Sequence, residues 1–128
     1  MDVKVRAELL NGKIDWSIDG QKPHKSVLDC PRKSGAHTIN FHLDDATGSG
    51  LQFSEDPFWV HENENGDCPE QAGINSDQLS VSAVKSGKLT ISNANTGAPR
   101  TLQYQLNFVD SNGAVQSVDP CIKNGGST

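Results

Sequence analysis

The chain has 128 residues, with 16 acidic and 11 basic side chains and a net charge of -5. That length fits one domain able to bury roughly two thirds of its unfolded surface without help from a metal or a disulfide. The acidic balance and the dispersed basic residues exclude a phosphate-tracking surface, so no nucleic acid is expected as a partner. No apolar run approaches the ~20 residues of a membrane span, so no membrane is expected either.

The opening Met1-Asp2-Val3-Lys4-Val5-Arg6 has no basic leader followed by an apolar stretch. This favours a cytoplasmic protein, or an exported one from which a leader has been removed. Val3 to Leu10 and Lys13 to Ile18 both alternate around Asn11-Gly12. Asn-Gly between alternating runs is a strong hairpin signal, because a type I′ turn needs positive φ at both central positions. The two-residue loop sets Leu9 against Ile14, Ala7 against Trp16 and Val5 against Ile18. Arg6 then faces Ser17, Lys4 faces Asp19 and Glu8 faces Asp15 on the other side. A slip of one residue would turn the apolar set to water, so pattern and turn agree.

Asp19 to Gly35 reads as a long loop, carrying Gly20, Pro23, Pro31 and the densest basic group, Lys22, Lys25, Arg32 and Lys33. The basic group reads as solvated surface. His37 to Leu43 reads as a strand with His37, Ile39, Phe41 and Leu43 on one face, His37 near the rim of the core. A turn over 44–50 leads to a short strand, Leu51-Gln52-Phe53. Phe58 to Glu62 reads as a separate strand entered through Pro57, near an edge or a bulge. Residues 63–77 are polar and rich in Asn, Gly and acidic side chains. Leu79 to Val84 and Lys88 to Ser92 flank a turn, and a loop over 93–100 follows.

Leu102, Tyr104, Leu106 and Phe108 then alternate with Gln103, Gln105 and Asn107, the period of a strand with one face in a core. Asp110 to Gly113 supplies a turn, and Ala114 to Val118 returns until Asp119-Pro120 stops it. No segment keeps a helical period over three turns. The expected fold is all-β: a two-sheet antiparallel sandwich of about 7–9 strands, immunoglobulin-like or cupredoxin-like. It is expected to form a single β-sandwich domain over 1–122, with a flexible C-terminal tail over 123–128.

The chemistry-bearing residues are sparse. A blue-copper site needs two His, a Cys and usually an axial Met, but the single Met is Met1 and no His follows Cys121. His24, His37, His42 and His61 form no zinc-type pair with each other or with Cys30, Cys68 and Cys121. The 61–67 segment is oxygen-rich, with Glu62, Glu64 and Asp67 as a weak calcium candidate, but it lacks the ligand order of an EF-hand. No nucleophile elbow and no phosphate loop is present, so no catalytic residue and no cofactor is expected. Cys30 and Cys68, each followed by Pro, would bridge the two longest loops if joined as a disulfide.

Phe58-Trp59-Val60-His61 offers the best binding candidate. With Phe58 and Val60 buried, Trp59 and His61 would face outward, and an exposed Trp beside polar groups suits sugar stacking or a protein contact. His42 and Asp44 form a second outward pair.

The ending, Tyr104-Gln105-Leu106-Asn107-Phe108-Val109-Asp110 followed by Gly113 and Asp119-Pro120-Cys121-Ile122-Lys123-Asn124-Gly125-Gly126, resembles that of small uncharacterised bacterial β-sandwich proteins. The resemblance covers the last fifth of the chain and implies a bacterial source and a small sandwich, with no activity or site residues. A late-strand Tyr is also similar to the tyrosine corner of immunoglobulin sandwiches.

The sequence therefore points first to a non-enzymatic binding or interaction module, a monomer or weak dimer that takes a protein or small-molecule ligand. A carbohydrate-binding domain using Trp59 is the alternative. A small metal-binding protein or hydrolase using loop His, Cys and carboxylates is the third reading.

Overall fold

In the computed structural model, residues 1–31, 34–62, 72–96, 100–118 and 121–124 are described. Their strands are β1 (Asp2–Leu10), β2 (Lys13–Ile18), β3 (Val27–Cys30), β4 (His37–Asp45), β5 (Gln52–Glu62), β6 (Ile74–Asn75), β7 (Leu79–Val84), β8 (Lys88–Asn93), β9 (Arg100–Val109), β10 (Val115–Val118) and β11 (Cys121–Asn124). They form two sheets, ordered β2-β1-β4-β8-β7 and β3-β11-β9-β5-β6, with β10 also paired to β9. The protein is all-β, and its two sheets share one apolar core.

The first hairpin has the register that its sequence dictates, from Val5 opposite Ile18 to Leu10 opposite Lys13. Asn11 and Gly12 take φ values of 53° and 77°, the positive pair that a type I′ turn requires. Its apolar face is buried only in part. Val5 and Ala7 are fully buried, whereas Leu9 is 54% exposed, because the hairpin runs past the end of the core.

The sheets are mixed rather than wholly antiparallel. β1 runs parallel to β4, β3 to β11 and β5 to β6. Period-two alternation says which side chains point inward but not which way a neighbouring strand runs. The strand count also exceeds the expected range, for three local reasons. The long loop after Asp19 contains β3, where Leu28 and Cys30 point into the core. The polar segment before Leu79 contributes the two-residue β6. β10 ends at Val118, as expected before Asp119-Pro120, but a further strand, β11, follows. Val118 opposite Leu106 and Cys121 opposite Gln103 share one register, so β10 and β11 lie along the same side of β9. This carries paired chain to Asn124, beyond the boundary expected at Ile122, while 125–128 lie outside the described residues.

Conversely, Leu51-Gln52-Phe53 and Phe58 to Glu62 are one strand, not two. β5 pairs with β9 on both sides of an irregularity between Phe53 and Phe58. Ser54, Glu55, Asp56 and Pro57 bulge out of the ladder there, as expected where Pro has no N–H to donate.

Aromatic rings join the sheets. Phe41 of the first sheet lies 5.6 Å from Tyr104 of the second, and Tyr104 lies 5.7 Å from Phe58. Trp16 stacks on Phe108 at 4.9 Å, and Phe53 meets Phe108 at 4.6 Å. Tyr104, Leu106 and Phe108 are completely buried. Each such side chain contributes roughly 1.5–3 kcal/mol by leaving water, which makes β9 the spine of the second sheet. Among the described residues no helix is long and apolar enough to cross a membrane.

Candidate functional site: the outer face of the second sheet

With both inner faces committed to the core, each sheet presents its alternate residues outward, and the two outer faces differ in chemistry. The first is charged. Arg6 pairs with Asp44 at 2.6 Å and approaches Glu8 at 3.6 Å, and Lys4 lies 3.5 Å from Asp44. The Arg6 hydrogen bond holds the Asp44 carboxyl below its ordinary range, and Asp44 in turn raises the Arg6 guanidinium. His42 meets Asp2 at 3.0 Å, and that hydrogen bond lowers the Asp2 carboxyl. His42 and Asp44 thus share one face, as β4 alternation requires, but each is engaged by β1. A shallow recess of about 310 Å³ lies among Asp2, Lys4, Asp19, His42 and Asp44. These exposed ion pairs are screened by salt and contribute little stability.

Across β5, β9 and β10 the second outer face is rich in amides, and β3 adds the exposed Asp29. β5 and β9 pair Trp59 with Gln105 and His61 with Gln103, so these four side chains stand on the same side. Phe58 and Val60 are buried on the other side at 2% and 0% exposure. Trp59 and His61 are both half-buried. β10 adds Ser117 opposite Asn107.

A hydrogen-bond relay fixes this face to the bulge. The Trp59 Nε1–H donates to Asp56 Oδ2 at 2.7 Å. Asn107 Nδ2 donates to the Asp56 carbonyl at 2.9 Å. Asn107 Oδ1 accepts from Gln105 Nε2 at 2.6 Å and from Ser117 Oγ at 2.9 Å. Asn107 is 3% exposed and carries the relay, so its role is to hold Asp56 and Gln105 in place. Gln103 is 8% exposed and stands opposite His61.

Sequence reasoning identified Trp59 and His61 but passed over Gln103, Gln105, Asn107 and Asp56. Three amides at alternate positions of one strand were the available signal. Asp56 had none, since only the bulge brings it back beside Trp59.

Glu62 is exposed at the end of β5, whereas Glu64, Asp67 and Cys68 lie outside the described residues. Among the described residues no group of three His, Cys, Asp or Glu side chains is placed to hold a metal. Cys30 is a buried free thiol that accepts a hydrogen bond from Asn93 at 3.3 Å. Burial raises the Cys30 thiol, an effect that the Asn93 bond only partly opposes, and this disfavours the nucleophilic thiolate. Ser34 and His37 meet at 2.7 Å, but the Ser34 hydroxyl donates to the Pro31 carbonyl at 2.6 Å. His37 is therefore the donor of the pair. Asn95, held at a φ of 52°, donates to the same serine and to the Pro31 and Gly35 carbonyls. This arrangement ties a loop and does not activate a serine.

No protein-family model matches the chain, and no curated protein is significantly similar to it.

Proposed function

We propose that the protein is a non-enzymatic binding module whose ligand surface is the outer face of the second sheet, centred on Trp59, Gln105 and Gln103. The observation that carries this reading is the half-buried Trp59, whose indole N–H is held by Asp56 at 2.7 Å and which shares one face with Gln105, Gln103 and His61. A face serving only as solvated surface would favour charged or small polar side chains, as the first sheet does. Rigid strands on both sides hold the set in place before a ligand arrives, which reduces the ordering cost of binding.

A thermal-shift screen against mixed peptides, nucleotides and saccharides tests the reading. Compounds that stabilise the protein should lose their effect in Gln105→Lys and keep it in Ser17→Lys, on the outer face of the first sheet. The reverse pattern would place the ligand surface elsewhere.

A further inference from the structure

We propose that β2 is a docking edge for a second copy of this chain, which pairs its own β2 antiparallel to the first about a two-fold axis at Ile14. The inference is independent of the ligand face proposed above, which lies on the other sheet.

The edge is open and regular. β2 ends the strand order of the first sheet, with β1 on one side only. In an antiparallel ladder, alternate residues turn their backbone groups toward the neighbouring strand and away from it. The Asp19 N–H donates to the Lys4 carbonyl at 2.8 Å, which fixes the phase: Lys13, Asp15 and Ser17 face β1, and Ile14, Trp16 and Ile18 face outward. Ile18 is covered, since it exchanges hydrogen bonds of 2.7 and 2.9 Å with Gln21, and the 3-10 turn Pro23–Lys25 lies beside β2. Ile14 and Trp16 turn their N–H and C=O groups to the open side.

Open edges invite pairing, and proteins blunt them with short strands, bulges and charges. The other open edges of this fold are blunted in that way. β3, β6 and β10 have four, two and four residues. β7 shifts register between Val81 and Ala83, and β5 carries the bulge where β6 does not reach it. β2 instead has six residues in unbroken register with β1. Its charges, Lys13 and Asp15, are of opposite sign and both exposed.

That charge pattern selects both partner and register. Three antiparallel registers pair the outward residues Ile14 and Trp16 of two copies with one another. Centred on Trp16, Ile14 meets the partner's Ile18, which Gln21 already occupies. Centred on Asp15, two carboxylates stand directly opposite, which is destabilising. Centred on Ile14, Lys13 stands opposite the partner's Asp15 and Asp15 opposite the partner's Lys13. Both contacts fall at non-hydrogen-bonded positions, where facing side chains are closest. The two Ile14 residues exchange backbone hydrogen bonds on the axis, and the covered Ile18 ends point away from the interface.

This register also accounts for two features of the single chain. Asp15 stands opposite Glu8 within the hairpin, a like-charge pair to which the partner's Lys13 adds a cation. Leu9, 54% exposed where the hairpin runs past the core, stands opposite Ile14. Across the axis, Leu9, Ile14, the partner's Ile14 and the partner's Leu9 form one apolar row. Two five-stranded sheets thereby join into one.

Pairing over Gly12 to Trp16 buries little area, so the dimer should be weak. Sedimentation equilibrium of the intact chain from about 10 µM to 1 mM should show monomers passing into dimers. Lys13→Asp and Asp15→Lys each create two like-charge contacts, and each should weaken dimerisation about tenfold or more. Mixed together, the two variants should associate more tightly than either does alone, because every contact across the axis is then between opposite charges. Both side chains lie on the outer face, and circular dichroism should show both variants folded. In the wild type, the Ile14 and Trp16 amides should exchange more slowly as concentration rises, while the Asp15 amide, which faces β1, stays unchanged. A chain that remains monomeric at 1 mM overturns the proposal, as does a dimer that neither variant weakens. A mixture that associates no better than its components, or protection that grows on another edge and not at Ile14, also overturns it.

Discussion

Trp59 and Asp56 lie three residues apart in the same strand, yet the Trp59 indole N–H donates to the Asp56 carboxylate at 2.7 Å. In a regular strand their side chains would point to opposite faces. The bulge at Ser54 to Pro57 removes that constraint and places a carboxylate beside the amide-rich strands β5 and β9.

Breaking this contact should change the indole without unfolding the protein. In Asp56→Ala, the Trp59 Hε1 proton should exchange with solvent about tenfold faster, the equivalent of one lost charge-assisted hydrogen bond. Hydrogen exchange followed by NMR measures this, with the Trp16 indole as an internal control that should not change.

Asn107 should matter more to stability than any other polar residue on the face. At 3% exposure it joins Asp56, Gln105 and Ser117. Asn107→Ala should cost about 2–3 kcal/mol, because it leaves buried partners unsatisfied. Urea denaturation should show this as a lower midpoint at unchanged slope. Ser117→Ala, which removes a single donor, should cost about 1 kcal/mol or less.

Much of the fold is legible in the residues. The β1–β2 register follows from Asn11-Gly12 and from the penalty for exposing Val5, Ala7 and Ile18, and β9 follows from its alternation. What was not legible depends on neighbours distant in sequence. β3 is too short to announce itself beside Pro23 and Pro31, and its burial depends on parallel pairing with β11. The two halves of β5 look separate because the bulge residues break the pattern, although β9 pairs with both. The candidate site divides in the same way. Trp59 and His61 are visible from phase alone. Gln103 and Asn107 read as surface because polarity predicts exposure, whereas here neighbouring strands and the bulge cover them.

The carboxylates of the first sheet and its adjoining loop should govern acid stability. Burial pushes Asp45 up, but hydrogen bonds from Thr47 and from the Leu51 backbone more than offset it, leaving the carboxyl below its ordinary 3.8. Asp44 and Asp2 are lowered by Arg6 and His42. In each case the unfolded chain takes up its proton at higher pH than the folded one. Their contribution is therefore complete above about pH 4 and lost as pH falls through 3.8 toward the folded values. Urea midpoints measured across that range should fall, and Asp45→Asn should flatten the fall. Added salt should reduce the Asp44 part, which is exposed and screened.

Cys30 should resist modification in the native state. It is fully buried with a raised thiol, so alkylation near pH 8 followed by peptide mapping should show Cys30 protected until denaturant is added. Rapid native-state labelling of Cys30 would show that the edge formed by β3 opens readily.

The outer face of the second sheet is proposed as the place where this protein meets its ligand. A titration with the strongest hit from the thermal-shift screen, followed through backbone amide NMR shifts, tests it most directly. The largest shifts should fall on Asp56, Trp59, His61, Gln103 and Gln105, with Lys4, Arg6, His42 and Asp44 unmoved. Shifts concentrated on the charged face of the first sheet, with Trp59 and Gln103 unchanged, would contradict it.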